Sequence, residues 1–206
     1  MSPFADRILL VDDEPAVRRS LSRLLRAAGF EAVAFGSPEE FLRDLPPDGA
    51  GCAIFDVSMP GLDGLELQRV IASRGISLPI VFLTGRGDIP QSVRAMKEGA
   101  VDFLTKPVDG EVLLDAVRQA LGRGRTAREA RAEIAAIQSR IETLTDRERE
   151  VLDGVLAGRL NKQIAAGLGI SEKTVKVHRG RMMEKMAATS VADLVHLAAR
   201  AGLRRG

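Results

Sequence analysis

The chain has 206 residues, 45% hydrophobic and 28% charged, which is the composition of a folded protein rather than a disordered or fibrous one. Its single cysteine, Cys52, excludes an internal disulfide framework, and the lack of any apolar run near 18 residues excludes a membrane-spanning helix. The formal charge of +2 conceals a split: residues 1–120 hold 13 basic and 18 acidic side chains, net −5, and residues 121–206 hold 17 and 10, net +7. That asymmetry predicts two domains with different partners, the second suited to a polyanion. With no Trp, no Tyr and seven Phe, aromatic platforms for single-stranded nucleic acid are not expected.

The opening MSPFADRILLVDDEP has too short an apolar run for a signal peptide, and a lone thiol fits a reducing compartment, so the expected location is cytoplasmic with no membrane partner. Five apolar runs follow: Arg7–Val11, Ala32–Phe35, Cys52–Phe55, Ile80–Leu83 and Phe103–Leu104. They are continuous rather than alternating, as in parallel strands buried on both faces. Helical patterns occur near 14–28, 38–45, 64–74, 88–98 and 110–121. Ser37-Pro38-Glu39-Glu40, for example, combines an N-cap, a first-turn proline and a capping-box glutamate. These units predict an α/β domain over 1–121, a doubly wound five-stranded parallel sheet of flavodoxin-like type, with ligands at the carboxyl ends of its strands.

Residues 121–126 (LGRGRT) bring two glycines, each costing about 1 kcal/mol against Ala in a helix, and predict a break. Thr126 and Glu129 form a capping box that starts a new helix, and the segment 122–143 reads as a helical linker. Along it Ala127, Ala130, Ile134, Ile137, Ile141 and Leu144 form a seam that suits either packing on the chain's own domains or a dimer stalk. From Thr145 only short helices are expected. Thr145/Glu148 and Ser190/Asp193 are capping pairs, and Asn161 and Ser171 are candidate N-caps, giving a small all-α domain over 144–206.

Asp12 and Asp13 end the first predicted strand, and Asp56 ends the third. In a parallel sheet those ends lie side by side, so the three carboxylates converge. Without a cation they would raise one another's pKa values; a hard divalent ion such as Mg²⁺ resolves the repulsion. Thr84 ends the fourth strand and Lys106 follows the fifth, adding a hydroxyl and an ammonium. This set suits phosphoryl transfer onto an aspartate.

Residues 6–121 resemble the receiver domain of two-component response regulators. The stretches that carry the likeness are LLVDDEP (9–15), FDVSMPGLDGLEL (55–67), VFLTGRGD (81–88) and SVRAMKEGAVDFLTKP (92–107). The resemblance implies that Asp56 is the phosphoacceptor, that Asp13 ligates Mg²⁺ directly and Asp12 through water, and that the Ser58 carbonyl completes the set. It further implies that Thr84 and Phe103 are the switch pair, that Lys106 contacts the phosphoryl group, and that Lys106–Pro107 is cis.

In NKQIAAGLGISEKTVKVHRGRMMEK (161–185), Ala165, Gly169 and Val175 stand where a helix-turn-helix needs a small residue, a turn glycine and an apolar contact. On the second helix Val175, Met182 and Met186 face the core. Lys173, Lys176, Val177 and Gly180 face outward, with Thr174, Arg179, Arg181 and Lys185 on the flanks. The cations suit DNA phosphates, Lys176 can reach guanine acceptors, and Val177 a thymine methyl. Residues 142–203 resemble the LuxR/FixJ-type DNA-binding domain through LTDREREVL (144–152), GRLNKQIAAGLGISEKTVKVH (158–178) and the closing helix. Gly180 departs from members with a base-contacting Lys there.

The two resemblances together imply a FixJ/NarL-type response regulator. A histidine kinase would phosphorylate Asp56 with Mg²⁺ as cofactor, promoting dimerisation and control of promoter DNA, with RNA polymerase as a further candidate partner. One alternative is a phosphorylation-independent transcription factor with a structural receiver. Another, an aspartyl-phosphate phosphatase, would want a carboxylate two residues after Asp56, where this chain has Ser58.

Overall fold

The computed structural model describes residues 7–45, 51–85 and 95–203. The expected helix at 88–98 lies mainly outside them, and only a helical turn at 95–97 is seen. Five strands form one parallel sheet: β1 (Arg7–Val11), β2 (Glu31–Phe35), β3 (Cys52–Asp56), β4 (Ile80–Thr84) and β5 (Asp102–Thr105), in the order β2-β1-β3-β4-β5. The chain reverses direction across the sheet after β2, so the crevice of a doubly wound sheet opens between the carboxyl ends of β1 and β3.

The continuous apolar runs are explained by the two cores they feed. Ile8, Leu10, Cys52, Ile54, Val81 and Leu83 pack on one face with Leu21 and Leu25 of helix α1 (Pro15–Ala27) and with Leu113 and Val117 further on. Leu9, Val11, Ala53, Phe55 and Phe82 pack on the other with Phe41 of α2 (Pro38–Asp44) and Leu67 and Ile71 of α3 (Gly64–Ser73). Each buried Leu, Ile, Val or Phe among them stabilises the fold by about 1.5–3 kcal/mol. On the second face Phe35, Phe41, Phe55, Phe82 and Phe103 form a run of ring contacts, with centroids 5.2–6.2 Å apart. Cys52 is fully buried in β3, and that burial pushes its thiol pKa up to about 12.

Helix α4 (Gly110–Glu142) corrects the break expected at 121–126. It runs through both glycines, and the Thr126 hydroxyl donates to the Gly122 carbonyl inside the helix instead of capping a new one (3.2 Å). The glycines cost about 2 kcal/mol together. Core residues on both sides outweigh that: Leu113, Val117 and Leu121 before them, Ile137 after. The boundary between two compact units, Met1–Ala127 and Arg128–Gly206, falls within this helix.

The second unit contains the end of α4 and four further helices: α5 (Asp146–Leu156), α6 (Asn161–Leu168), α7 (Glu172–Lys185) and α8 (Val191–Arg200). Its core gathers Ile137, Leu144, Val151, Leu152, Ile164, Val175, Met182, Met186 and Leu194. Ile137 is 1% exposed, so the seam from that point onward packs on the unit's own helices. Thr145 and Glu148 complete a reciprocal capping box on α5. Ser171 caps α7 and Ser190 caps α8. Asn161 is not the cap expected: Leu160 holds that position, and its N–H donates to the Gln163 side chain (2.8 Å). Gly169, at φ 66°, ends α6 in the left-handed conformation and turns the chain into α7. α6 and α7 are the helix-turn-helix pair.

Candidate functional site

Asp12, Asp13 and Asp56 meet at the β1–β3 crevice, each offering an oxygen within 4.8 Å of the others. Asp12 is fully buried and Asp56 only 3% exposed. The register explains the meeting: Val11 pairs with Phe55, so the residues that follow leave their strands side by side. Lys106 enters from the end of β5, tied by its own N–H to the Thr84 carbonyl (2.7 Å). Its Nζ lies 2.7 Å from Asp12 Oδ2, 3.2 Å from Asp56 Oδ2 and 3.5 Å from Glu14 Oε1. The Lys106–Pro107 bond is cis.

One ammonium therefore serves several carboxylates. Burial raises the Asp56 pKa; Lys106 and the Ser58 backbone N–H pull against that, and the Asp12 charge adds to it. Burial alone would depress Lys106, yet its hydrogen bond to Asp12 and the charges of Asp12 and Asp56 lift it above the ordinary lysine value. Asp56 Oδ1 is buried and has no protein partner. Such an atom costs stability unless something from outside binds it.

Gly64, the first residue of α3, makes this geometry possible. A Cβ there would overlap the Asp56 carbonyl oxygen, so the α3 terminus can lie against the end of β3 only with glycine. Thr84 (2% exposed) ends β4, and Phe103 is half-buried against Phe82, centroids 6.0 Å apart. Ser58 is exposed just beyond Asp56. Two contacts escaped the sequence. Glu14 joins the Lys106 cluster, and the Arg18 guanidinium donates to the Asp12 carbonyl (2.6 Å). The acidic Asp12-Asp13-Glu14 triplet carried a signal for the first; the second depends on the α1 turn alone.

In the second unit Lys173, Lys176, Val177 and Arg181 are exposed on α7, with Val177 at 48%. A Cβ on Gly180 would meet nothing within 4 Å, so the middle of this surface is open and carries no side chain. Thr174 is half-buried and shares a hydrogen bond with Ser171 Oγ (2.8 Å). The other two expected DNA-facing cations are engaged internally. Arg179 donates to Asn161 Oδ1 (2.7 Å) and braces α6 against α7. Lys185 Nζ bonds Glu148 Oε2 (2.6 Å) and the Thr143 carbonyl (3.0 Å). Helical position alone does not show which carboxylate or amide another helix presents, and these two contacts are the result.

Two family models match the chain, "Response regulator receiver domain" over residues 8–118 and "Bacterial regulatory proteins, luxR family" over 142–198. The chain is 48% identical to Nodulation protein W of Bradyrhizobium diazoefficiens, across 95% of this chain and 86% of that protein. The structure of the response regulator StyR is 44% identical and superposes with a TM-score of 0.85, covering 94% of this chain and 98% of that one. Full-length FixJ from B. japonicum is 42% identical with a TM-score of 0.59, covering 97% and 98%. No helix among the described residues is long and apolar enough to cross a membrane. An acidic crevice that receiver domains share, followed by a helix-turn-helix that the luxR model matches, places this chain in the FixJ/NarL family of two-component response regulators, which are DNA-binding regulators of transcription.

Proposed function

We propose that this response regulator takes a phosphoryl group onto Asp56 from a histidine kinase, in a Mg²⁺-dependent step that controls its dimerisation and its binding to promoter DNA. The observation that carries the reading is the under-neutralised cluster: converging carboxylates around one ammonium, with Asp56 Oδ1 buried and unpartnered. A hard cation suits that donor set, with Asp13, Asp56 and the Ser58 carbonyl as its protein oxygens and Asp12 acting through water. When bound, Mg²⁺ supplies positive charge against the oxygens of the incoming phosphoryl group.

The chain's own residues do the rest. An Asp56 oxygen forms the new P–O bond while the P–N bond of the kinase's phosphohistidine breaks, its electron pair returning to the imidazole. Lys106, already 3.2 Å from Asp56 Oδ2, neutralises the charge that accumulates there. Thr84 lines the same crevice and donates to the transferred group, and its displacement leaves room for Phe103 to turn inward. Phe103 has no hydroxyl, so its inward state rests on apolar contact alone. For DNA, Lys173, Lys176, Val177 and Arg181 form the contact set, and Thr174, Arg179 and Lys185 hold the reading helix in place.

Incubation with phosphoramidate and Mg²⁺, followed by intact-mass measurement, tests the first step. One hydroxylamine-labile phosphoryl group per chain is expected, and none on Asp56→Asn. Persistent labelling of that variant would remove Asp56 from the role. Equal DNA affinity with and without beryllofluoride would instead favour a phosphorylation-independent regulator.

A further inference from the structure

Helix α1 reads PAVRRSLSRLLRA: four arginines and no acidic residue, in a domain whose net charge is −5. Arg18, Arg19, Arg23 and Arg26 all line one groove of about 710 Å³, floored by the buried Ser22 and walled by Ala34 of the edge strand β2. Among the described residues none of these guanidiniums makes an ion pair. Two are instead fixed by backbone carbonyls: Arg18 by Asp12 (2.6 Å) and Arg26 by Ala32 (3.1 Å). Arg19 and Arg23 are exposed, one helical turn apart.

We propose that this groove binds a small ligand carrying two or more phosphate groups, and that the ligand acts as an effector of the acidic crevice. Its volume falls in the range of small-molecule sites, roughly 300–1,000 Å³. Guanidinium groups match phosphate oxygens in pairs, and each retains free donors after its bond to the backbone. Tethering Arg18 and Arg26 removes part of the ordering cost of binding. The small Ala34 wall leaves room for the phosphates, and four guanidiniums on a single groove of this volume suit a compact polyanion. Arg18 supplies the link to the crevice. A phosphate that draws its guanidinium changes the hydrogen bond to the Asp12 carbonyl, and Asp12 contacts Lys106 directly.

Calorimetric titration of the full-length protein with inorganic pyrophosphate, in Mg²⁺-free buffer, tests this directly. One site per chain is expected, with R19E/R23E weakening it by about tenfold or more. Both positions are exposed, and an unchanged thermal melt shows that the variant folds. Binding that is unaffected by R19E/R23E but lost in K173E/K176E would overturn the assignment. Uptake of a random duplex weakened by R19E/R23E, with no pyrophosphate binding, would give the groove to nucleic acid and also overturn it. The effector role predicts at least a twofold change, with pyrophosphate, in the initial rate of phosphoramidate labelling in wild type but not in R19E/R23E. Equal rates in wild type with and without pyrophosphate would overturn that role. Because the binding measurement involves no phosphotransfer, its failure is separable from failure of the Asp56 reading.

Discussion

Lys106 and Lys185 are the same side chain set against buried carboxylates, and the two surroundings have opposite consequences. Lys106 faces Asp12, Asp56 and Glu14 at once, the Asp56 pKa is raised, and one Asp56 oxygen lacks a partner. Lys185 faces one carboxylate, Glu148, which is 3% exposed and also satisfied by the Thr145 N–H. The Glu148 pKa is lowered, first by the Lys185 hydrogen bond and then by the capping box. A balanced pair closes a structure. An unbalanced one stays open to a further ligand, and the local charge arithmetic separates the two without reference to motif.

The largest expected effect attacks the balanced pair. Lys185→Met leaves Glu148 buried without its cation and lowers stability by about 2 kcal/mol, seen as a lower melting temperature of the full chain. Asp56→Asn goes the other way: it removes a carboxylate that burial disfavours and stabilises the metal-free protein by about 1 kcal/mol at neutral pH. The Lys106–Asp12 bond survives that change, so no buried ammonium is stranded.

Acid separates the sites by sign. Glu148 contributes stability above its ordinary value of 4.5, and that contribution is lost as pH falls through its depressed folded pKa. Asp56 behaves in reverse. Its folded pKa is raised, so the advantage of Asp56→Asn shrinks as pH falls through that raised value and the wild-type carboxyl protonates. Melting curves of wild type, Asp56→Asn and Glu148→Gln from pH 7 to 3 test this; parallel responses in the two variants would break the comparison. The smallest effect is electrostatic. Lys173→Ala should reduce the slope of log DNA affinity against log salt by about 0.9, the loss of one phosphate contact, while Lys185→Met, whose ammonium is held by Glu148, leaves it unchanged.

Much of the acidic crevice was legible in the sequence. Continuous apolar runs ending in Asp or Thr mark buried parallel strands, and strand ends in such a sheet are neighbours by topology. The helix-turn-helix was readable for a local reason: Gly169 and Ser171 are turn and cap residues whose conformations are set within a few positions. What escaped depended on distance or on context. The Lys185–Glu148 and Arg179–Asn161 contacts join residues 37 and 18 positions apart, where no helical periodicity operates. The continuity of α4 was hidden because propensity counts the cost of Gly122 and Gly124 but not the anchoring of the helix in core on either side.

Cys52 has one more consequence, for labelling chemistry. Its sulfur is sealed inside β3 and its thiol, pushed up to about 12, holds its proton at neutral pH, so the folded chain presents no nucleophilic sulfur to a maleimide. A thiol introduced by Lys173→Cys on the exposed face of α7 therefore reacts alone, in an otherwise natural sequence. A fluorophore placed there reports directly on α7, the helix proposed to contact DNA, and the native cysteine can stay in place.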